Sequence, residues 1–371
     1  MKNEHTNLFQ RQGYEMLKCA PERPKPIRVA HVAPSIFPVP PKDHGGTERV
    51  IHDLCVAMQS LGCDVTLFAA SESTTPVKLV GRLPSLQRLE AEHGSVPPSV
   101  PSVLESVRMD EVRQRLGEFD ILHFHGEFFH AALLGDQRSK SLTTIHWRVD
   151  ELDRQLFFEA FPDLPVAAIS ASQQSGIPRA NRAGVVLHGV SKERFEPSFS
   201  PGSYLAFIGR MTDQKRPDRA IDVAKRCGKP LKLAGTVDVG NPLYFDKHVR
   251  SNLSEGIDYV GPVGDAEKNT LLRNATALLF PIDWPEPFGL VMIEAIACGT
   301  PVIAWNNGSV SEVIEDGVTG FIVENEDQAV EAVSRIGSLD RRQVRARFEQ
   351  RFTAERMAKD YIDIYERMLF R

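Results

Sequence analysis

The chain has 371 residues, more than one typical hydrophobic core holds, and this length predicts two domains. Apolar side chains make up 42% of the residues and charged side chains 25%, which is typical of a globular protein. The 44 basic and 49 acidic residues give a formal charge of -5, so we expect no nucleic-acid partner. No run of about 18 apolar residues is present, which excludes a transmembrane helix but leaves peripheral membrane contact open.

Residues 1–26 are polar, lack the apolar segment of a signal peptide and end in a proline-rich run, so we expect a flexible extension. The five cysteines are scattered and show no Cys-x-x-Cys spacing, which argues against a zinc site and against a disulfide framework. Reduced, mostly buried thiols are typical of a cytoplasmic protein, and this is the location we predict.

Short apolar runs alternate with helical patterns along the chain, and this alternation predicts a parallel sheet in each half. The strands are expected at residues 27–33, 65–69, 120–126, 141–145, 166–170 and 185–190, and again at 204–208, 231–234, 258–260, 277–280, 302–304 and 320–323. Helices are expected at 45–61, 103–116, 217–226, 325–336 and 341–370. Residues 77–102 give no clear pattern, and the serine- and proline-rich residues 191–203 indicate a linker.

The first strand is followed by a long loop and then by Gly45-Gly46-Thr47-Glu48, which opens a helix that Thr47 can cap. A strand, a glycine loop and a helix in this order are typical of phosphate-binding α/β folds. Paired glycines also open many helices that bind nothing, so both interpretations stay open.

Histidines stand at the ends of two predicted strands. His123 and His125 end one strand, and His146 and Trp147 follow the next. Alternate residues of a strand share a face, and the carboxyl ends of parallel strands border the ligand crevice. One of the histidines is therefore a candidate substrate contact, although buried structural histidines are common. His123 and His125 have no acidic third ligand at motif spacing, so no metal site is expected.

The second half repeats the pattern of strand, polar loop and helix. Arg210 and Lys215 stand in the loop after the strand at 204–208, and Pro217 suits the first turn of the helix that follows. Two cations in a loop at the carboxyl end of a strand can clamp a diphosphate. The alternative is that both side chains are simply solvated.

Residues 285–304 combine two acids with a helix start. Glu286 stands in a loop, Gly289 lets a ligand approach the backbone where the helix begins, and Glu294 lies inside the helix among apolar neighbours. The amino end of a helix presents unpaired N–H groups and favours anions such as a nucleotide diphosphate. A buried carboxylate is costly without a partner, so Glu294 predicts a ligand or an ion pair.

Together these elements resemble the family-4 retaining glycosyltransferases of the GT-B fold. The resemblance covers residues 27–371, and its most specific part is Glu286 and Glu294 within EPFGLVMIEAIACGTPVIA. It implies an α/β protein whose two Rossmann-like domains have parallel sheets and face each other across a cleft. The implied units are an acceptor domain at 27–197, a nucleotide-sugar domain at 198–350 and a final helix at 351–371 that crosses back to the first domain.

The resemblance also implies a role for individual residues. Arg210 and Lys215 would hold the diphosphate, Glu286 would contact the donor sugar and Glu294 would bind ribose. The further donor contacts that it implies are Gly45, Gly46, Val263, Lys268, Phe288, Gly289 and Leu290. His125, or less closely His146, matches the active-site histidine.

Candidates on the acceptor side are His123, His146 and Trp147. Two positions depart from the family pattern, because Arg216 replaces a glycine after the diphosphate lysine and His188 replaces a frequent asparagine.

The function that the resemblance implies is retaining transfer of a hexose from a nucleoside-diphosphate sugar, most often a UDP-sugar. The acceptor would be a saccharide, a lipid or a small molecule. Negative charge develops on the leaving phosphate, and Arg210 and Lys215 supply the positive charge that stabilises it. No metal and no other cofactor are therefore required. The alternatives are a nucleotide-sugar epimerase, a sugar phosphorylase of GT-B architecture, and a nucleotide-sugar-binding protein without catalysis.

Overall fold

The computed structural model describes residues 25–42, 45–126 and 129–370. Two parallel sheets lie one after the other along the chain, which confirms the predicted architecture of two Rossmann-like domains. The predicted flexible extension falls almost entirely on residues 1–24, which lie outside the described residues.

The first domain contains a seven-stranded sheet in the order β3-β2-β1-β4-β5-β6-β7, and the second a six-stranded sheet in the order β10-β9-β8-β11-β12-β13. In both sheets the strand order reverses beside the first strand of the domain, so that loops after β1 and β4, and after β8 and β11, diverge around a crevice. The strands are β1 Arg28–Val32, β2 Asp64–Phe68, β3 Lys78–Val80, β4 Ile121–Phe124, β5 Ser141–Thr144, β6 Val166–Ala168, β7 Arg182–Val185, β8 Tyr204–Ile208, β9 Leu231–Ala234, β10 Ile257–Gly261, β11 Ala275–Phe280, β12 Val302–Trp305 and β13 Gly320–Val323.

Helices connect most of these strands. They are α1 Gly46–Ser60, α2 Leu86–His93, α3 Val100–Arg113, α4 Phe129–Leu133, α5 Leu152–Ala160, α6 Ala171–Ser175, α7 Pro217–Cys227, α8 Pro242–Tyr244, α9 Asp265–Arg273, α10 Leu290–Ala297, α11 Val310–Val313, α12 Glu326–Arg335, α13 Arg341–Arg351 and α14 Ala354–Leu369. None of the described helices is both long and apolar enough to cross a bilayer. Four cysteines of the described part are unpaired thiols.

Three predicted details are wrong, and two elements lie in a segment that showed no pattern. The strand expected at 185–190 is instead β7 at Arg182–Val185, so most of that apolar run follows the strand. Helix α1 begins at Gly46 with Gly45 as its cap, so Thr47 lies inside the helix and does not cap it. The φ of Gly45 is 136°, a conformation that favours glycine. The helical residues therefore begin directly after Gly45, one position before Thr47. Residues 77–102, which showed no pattern, contain β3 and α2. The single helix expected at 341–370 is two helices, α13 and α14.

The break between α13 and α14 brings the end of the chain back to the first domain. The hydroxyl of Thr353 accepts a hydrogen bond from the N–H of Arg356 and caps α14. Beside the break, the N–H of Val190 donates to the carbonyl of Phe352 at 3.0 Å, and the N–H of Ala354 donates to the carbonyl of Val190 at 3.0 Å. Helix α14 then packs on α1 and contributes Ala354, Met357, Ala358, Tyr361, Ile364 and Tyr365 to the core of the first domain.

Gly189 tests this junction, because a methyl group there would overlap the carbonyl of Thr353. We expect Gly189→Ala to lower the free energy of unfolding by about 1–3 kcal/mol, the usual cost of overpacking. Urea denaturation measures the change. Gly337→Ala is the matched control, since no atom lies within 4 Å of its added methyl group and stability should change by less than about 1 kcal/mol. Equal stability of the two variants would contradict the tight junction.

Candidate active site

The carboxyl ends of both sheets border one cleft. A cavity of about 350 Å³, here called the donor cavity, lies in it and is lined by both domains. The first domain contributes Gly45, Gly46 and Arg49, and the segments that follow β8, β9, β10 and β11 contribute the opposite wall. Because β8 and β11 are neighbours in the sheet, two loops that are distant in sequence meet at this point.

The structure brings nearly all the predicted donor residues together. Those that line the donor cavity are Gly45, Gly46, Arg210, Lys215, Val263, Lys268, Glu286, Gly289, Leu290 and Glu294. Phe288 is the exception among the predicted residues, because its side chain is buried in the core of the second domain. It borders a smaller cavity of about 230 Å³, together with His188 and Glu286.

Glu286 forms an ion pair with Lys215, and the indole N–H of Trp284 donates to the same carboxylate oxygen at 2.9 Å. Lys215 and Glu286 are both largely buried, so each charge compensates the other in a poorly solvated place. The sequence assigned these two residues to phosphate and sugar. In the structure they hold each other beside the donor cavity.

Glu294 has the partner that its burial predicted. The side chain is 4% exposed, and its Oε1 lies 2.5 Å from the Nζ of Lys268, which stands in α9. A third cation, Arg210, is exposed and has no acidic partner among the residues that the structure describes. Its guanidinium lies 5.8 Å from the ring centroid of Trp147, across the cleft. Arg210 is therefore the cation of this wall that is available to an incoming anion.

The amino end of α10 opens on the donor cavity. Gly289 precedes the helix with a φ of 77°, and a methyl group there would come within 2.9 Å of Phe280 and Met292. The first N–H groups of a helix have no partners within it, so an anion can accept hydrogen bonds here. Glycine is needed at this position because of both its conformation and the lack of space.

Arg216, a departure from the family pattern, has a φ of 54° and a ψ of 52°. This is the left-handed conformation, which explains why glycine suits the position. The guanidinium forms ion pairs with Asp218 and Asp283, both at 2.8 Å. Those two pairs hold the strained residue at the start of α7.

Three histidines form a hydrogen-bonded row beside the cleft. His31 Nδ1 lies 3.0 Å from His125 Nε2, and His125 Nδ1 lies 3.0 Å from His146 Nε2. At the inner end, His31 Nε2 lies 3.2 Å from the sulfur of Met58. Burial lowers the pKa of His31 and of His146 to about 3. Burial, with a smaller effect of the neighbouring histidines, also holds the pKa of His125 well below its ordinary value, so the row is neutral.

The sulfur atom decides where the protons of the row lie. A thioether only accepts, so His31 carries its proton on Nε2 and accepts on Nδ1. His125 then donates from Nε2 and accepts on Nδ1, and His146 donates from Nε2. The last nitrogen, His146 Nδ1, is left unprotonated, and it is buried without a partner among the described residues. His125 therefore has both ring nitrogens engaged inside the protein.

The structure does not bring His123 to the cleft. It is fully buried, with Nδ1 2.6 Å from the hydroxyl of Tyr365 and Nε2 2.7 Å from that of Thr144. Tyr365 belongs to α14, so the returning helix supports β4, which carries His123 and ends just before His125. His123 is therefore a buried structural histidine, which is the alternative to a substrate contact that the sequence left open.

His31, His123 and His125 each place one ring nitrogen within 4.8 Å of the others, a spacing that a metal ion can bridge. His31 lies 94 positions before His125, so no motif spacing in the sequence indicates that the two side chains meet. All six ring nitrogens of the three have partners in Met58, Tyr365, Thr144, His146 and each other. Their burial is therefore explained without an ion.

His188, the second departure from the family pattern, is buried between the two domains. Its ring stacks on His146, with centroids 5.1 Å apart, and meets the edge of Phe288 at 5.0 Å. It therefore joins the histidine side of the cleft to the wall that carries Glu286.

A second cavity, of about 500 Å³, lies on the first-domain side of the cleft and is here called the acceptor-side cavity. It is lined by His125, His146 and Trp147, and Gly45 and Gly46 line both this and the donor cavity. Glu48 also lines it with a side chain that is 3% exposed, and sequence reasoning missed this residue. A glutamate in the first turn of a helix ordinarily just complements the helix dipole, so no sequence pattern distinguishes Glu48 from other such residues.

Two family models match the chain over adjoining ranges. Residues 44–191 match the description "Glycosyltransferase Family 4", and residues 191–352 match "Glycosyl transferases group 1". The chain belongs to the family-4 glycosyltransferases. The two matches together include both walls of the donor cavity.

Known proteins resemble this family-4 glycosyltransferase over nearly its whole length. The O-antigen chain mannosyltransferase C of Escherichia coli is 23% identical over 92% of this chain and 99% of its own. A D-inositol 3-phosphate glycosyltransferase of Saccharomonospora viridis is 26% identical over 92% of this chain and 94% of its own. The structure of Anabaena HepE in complex with UDP and glucose has a TM-score of 0.67 at 17% identity, covering 91% of this chain and 98% of that one.

The similarity to HepE shows the fold. Both relatives are transferases by name, so nothing in these comparisons supports an epimerase or a phosphorylase.

Burial raises the pKa of Glu48 in this glycosyltransferase to about 7, although its own backbone N–H and the charge of Arg49 oppose the shift. A carboxyl whose pKa is raised in the folded state destabilises that state once it ionises. The penalty is absent near pH 4 and complete near pH 8. We expect Glu48→Gln to raise the free energy of unfolding by about 1–3 kcal/mol at pH 8 and to change it little at pH 4.

Urea denaturation of wild type and variant at both pH values measures this difference. Glu90→Gln, which replaces an exposed glutamate, is the control and should show no dependence on pH. An equal effect of Glu48→Gln at both pH values would contradict the raised pKa.

Proposed function

We propose that this family-4 glycosyltransferase transfers a hexose from a UDP-sugar to a hydroxyl of a saccharide, lipid or small molecule, with retention of the anomeric configuration. The observation that carries the proposal is the donor cavity itself. Arg210, Lys215 and the amino end of α10 converge on it, and Glu286 and Glu294 line the same cavity. This arrangement suits a diphosphate between two sets of hydroxyl groups.

The donor is proposed to lie with its diphosphate against Arg210, Lys215 and the N–H groups of Gly289 and Leu290. Glu286 then accepts hydrogen bonds from the hexose hydroxyls, and Glu294 accepts them from the ribose. The backbone N–H of Phe288 also faces the sugar and the phosphate, and Gly45 and Gly46 approach the donor phosphate from the first domain. Val263 and Lys268 border the base. UDP as the nucleotide is supported by its presence in the structure of HepE, whose fold this chain shares.

In the proposed reaction, the bond between the anomeric carbon and the phosphate oxygen breaks while the acceptor oxygen bonds to the same face of that carbon. The proton of the acceptor hydroxyl passes to the leaving diphosphate. Negative charge grows on the phosphate during this step, where Arg210, Lys215 and the helix N–H groups stabilise it. With that charge supplied by side chains, the reaction needs no metal ion.

His125 is proposed as the active-site histidine, since it lines the acceptor-side cavity next to Gly46. Its two nitrogens are engaged by His31 and His146, so it acts by holding His146 in place. Trp147 offers a ring face to a sugar on the acceptor side. A cytoplasmic location is proposed because the described cysteines are free thiols.

Lys215→Ala and Glu286→Gln test the donor site. We expect each to lower kcat/KM for donor turnover about 100-fold or more, as losses of transition-state charge stabilisation do. Turnover is followed by NMR, which also reports the anomeric configuration of the product, and retention is expected. Lys229→Ala removes an exposed lysine and is the control, with activity unchanged. If both site variants turn over every accepted donor at the wild-type rate, this assignment is wrong.

A further inference from the structure

The acceptor-side cavity has an apolar wall, and the acids among its described lining residues are not balanced by lysine or arginine. Its apolar lining residues are Pro34, Ile36, Phe37, Leu86, Pro101, Leu104, Phe129 and Trp147. Among the described residues that line it, none is lysine or arginine, whereas two are acids, Glu48 and Glu105. The donor cavity next to it is lined by four cations. The cleft therefore changes its electrostatic character at Gly45 and Gly46, which line both cavities.

The two acids differ in what they contact. Glu105 Oε1 accepts a hydrogen bond from the backbone N–H of Ser35 at 3.0 Å. Glu48 is 3% exposed, and within the described chain no other residue donates a hydrogen bond to its carboxylate. A buried carboxylate in that state is costly, and its cost is recovered when a ligand donates to it.

A second polar group of the same wall has no hydrogen-bond partner among the described residues. The hydroxyl of Ser35 is buried and has no hydrogen-bond partner in the described part of the chain, and Ser35 is 4% exposed. Ser35 and Glu48 stand on opposite sides of the glycine loop in sequence, after β1 and in α1, and both line the acceptor-side cavity. Native proteins satisfy most buried polar groups, so an unpartnered hydroxyl in the same cavity as a buried carboxylate that only its own backbone N–H reaches indicates a ligand with hydroxyl groups.

The acidic lining of the cavity favours some classes of ligand over others. A phosphate or a carboxylate in this cavity would be desolvated beside two acids, with no cation on the described wall to compensate it. A hydroxyl group or an ammonium group would instead donate to Glu48. The apolar residues suit the ring face of a sugar or of an aromatic or alicyclic group.

We propose that the acceptor is a neutral or amino-bearing polyhydroxyl compound with an apolar face and without phosphate or carboxylate, and that Glu48 accepts a hydrogen bond from its attacking hydroxyl. This inference rests on the proposed function, because it assigns the acceptor of the same transfer. Glu48 orients the oxygen. The proton still leaves with the diphosphate, so the bonds that form and break are unchanged.

The test uses the full chain, a UDP-hexose donor and a panel of aryl glycosides in four matched forms: unmodified, amino, phosphorylated and uronic acid. Mass spectrometry detects the transfer products and gives kcat/KM. We expect transfer to the unmodified or amino members at least tenfold faster than to their phosphorylated or acidic counterparts. Faster or equal transfer to a phosphorylated or acidic member overturns the proposal, as does a lack of transfer to every neutral and amino member.

Variants at Glu48 test its assigned contact. Glu48→Gln keeps the size of the side chain and is expected to raise KM for the accepted member at least tenfold, more than it lowers kcat. Glu48→Lys is expected to move the preference towards the phosphorylated member. Glu90→Gln, on the exposed face of α2, is the control and should leave the preference unchanged. If KM and the preference of both Glu48 variants equal those of wild type, Glu48 does not bind the acceptor.

Calorimetric titration with UDP separates the two possible failures. Wild-type protein that binds UDP and turns over the donor, but prefers phosphorylated acceptors, retains the proposed function and contradicts the acceptor class. Protein that neither binds UDP nor turns over any UDP-hexose contradicts both. Circular dichroism checks that the Glu48→Lys variant is folded. If that variant is unfolded, the KM of Glu48→Gln alone decides whether Glu48 binds the acceptor.

Discussion

The ion pairs of Glu286 with Lys215 and of Glu294 with Lys268 are the interactions on which the donor wall depends. Each places a buried carboxylate at the cleft, where an unpaired charge would be strongly destabilising. Lys215 stands in the loop after β8 and Glu286 in the loop after β11, so their pair forms only when the sheet order sets β8 beside β11. The pair of Lys268 and Glu294 joins α9 to α10, the helices that precede and follow β11 and contact each other. A phosphate entering the cavity competes with Glu286 for Lys215. The structure therefore holds the cation proposed for the phosphate and the acid proposed for the sugar in contact with one another.

The first domain positions its side of the site through packing and neutral hydrogen bonds. The row from Met58 to His146 keeps its protons in a fixed order because all three rings are uncharged and their nitrogens bond to one another and to the sulfur of Met58. Helix α14 stabilises this arrangement through Tyr365, whose hydroxyl contacts His123, and the ring of His123 packs against His31 and His125. The break at Thr353 allows the last helix to reach this position, and so the end of the second domain supports the active-site face of the first.

The sequence predicted the architecture and the acidic segment of the donor wall because these depend on local signals, and the resemblance to the family supplied further residues of that wall. Apolar runs set the strands, and Glu286, Gly289 and Glu294 lie within one short segment. What it missed depends on contacts across the fold. His31 joins His125 over 94 residues, and Glu48 becomes unusual only through its burial. The division into α13 and α14 follows from packing on the first domain, which overrides a continuous helical pattern.

The cations, acids and helix end of the second domain are proposed to form one nucleotide-sugar site, and a crystal structure of the intact protein with UDP tests this. We expect the diphosphate within hydrogen-bond distance of Arg210, Lys215 and the first N–H groups of α10. Glu294 should accept hydrogen bonds from the ribose hydroxyls, and the contact between Lys215 and Glu286 should lengthen. UDP bound away from these residues, or bound with that ion pair intact and the diphosphate facing solvent, would contradict a nucleotide-sugar site here.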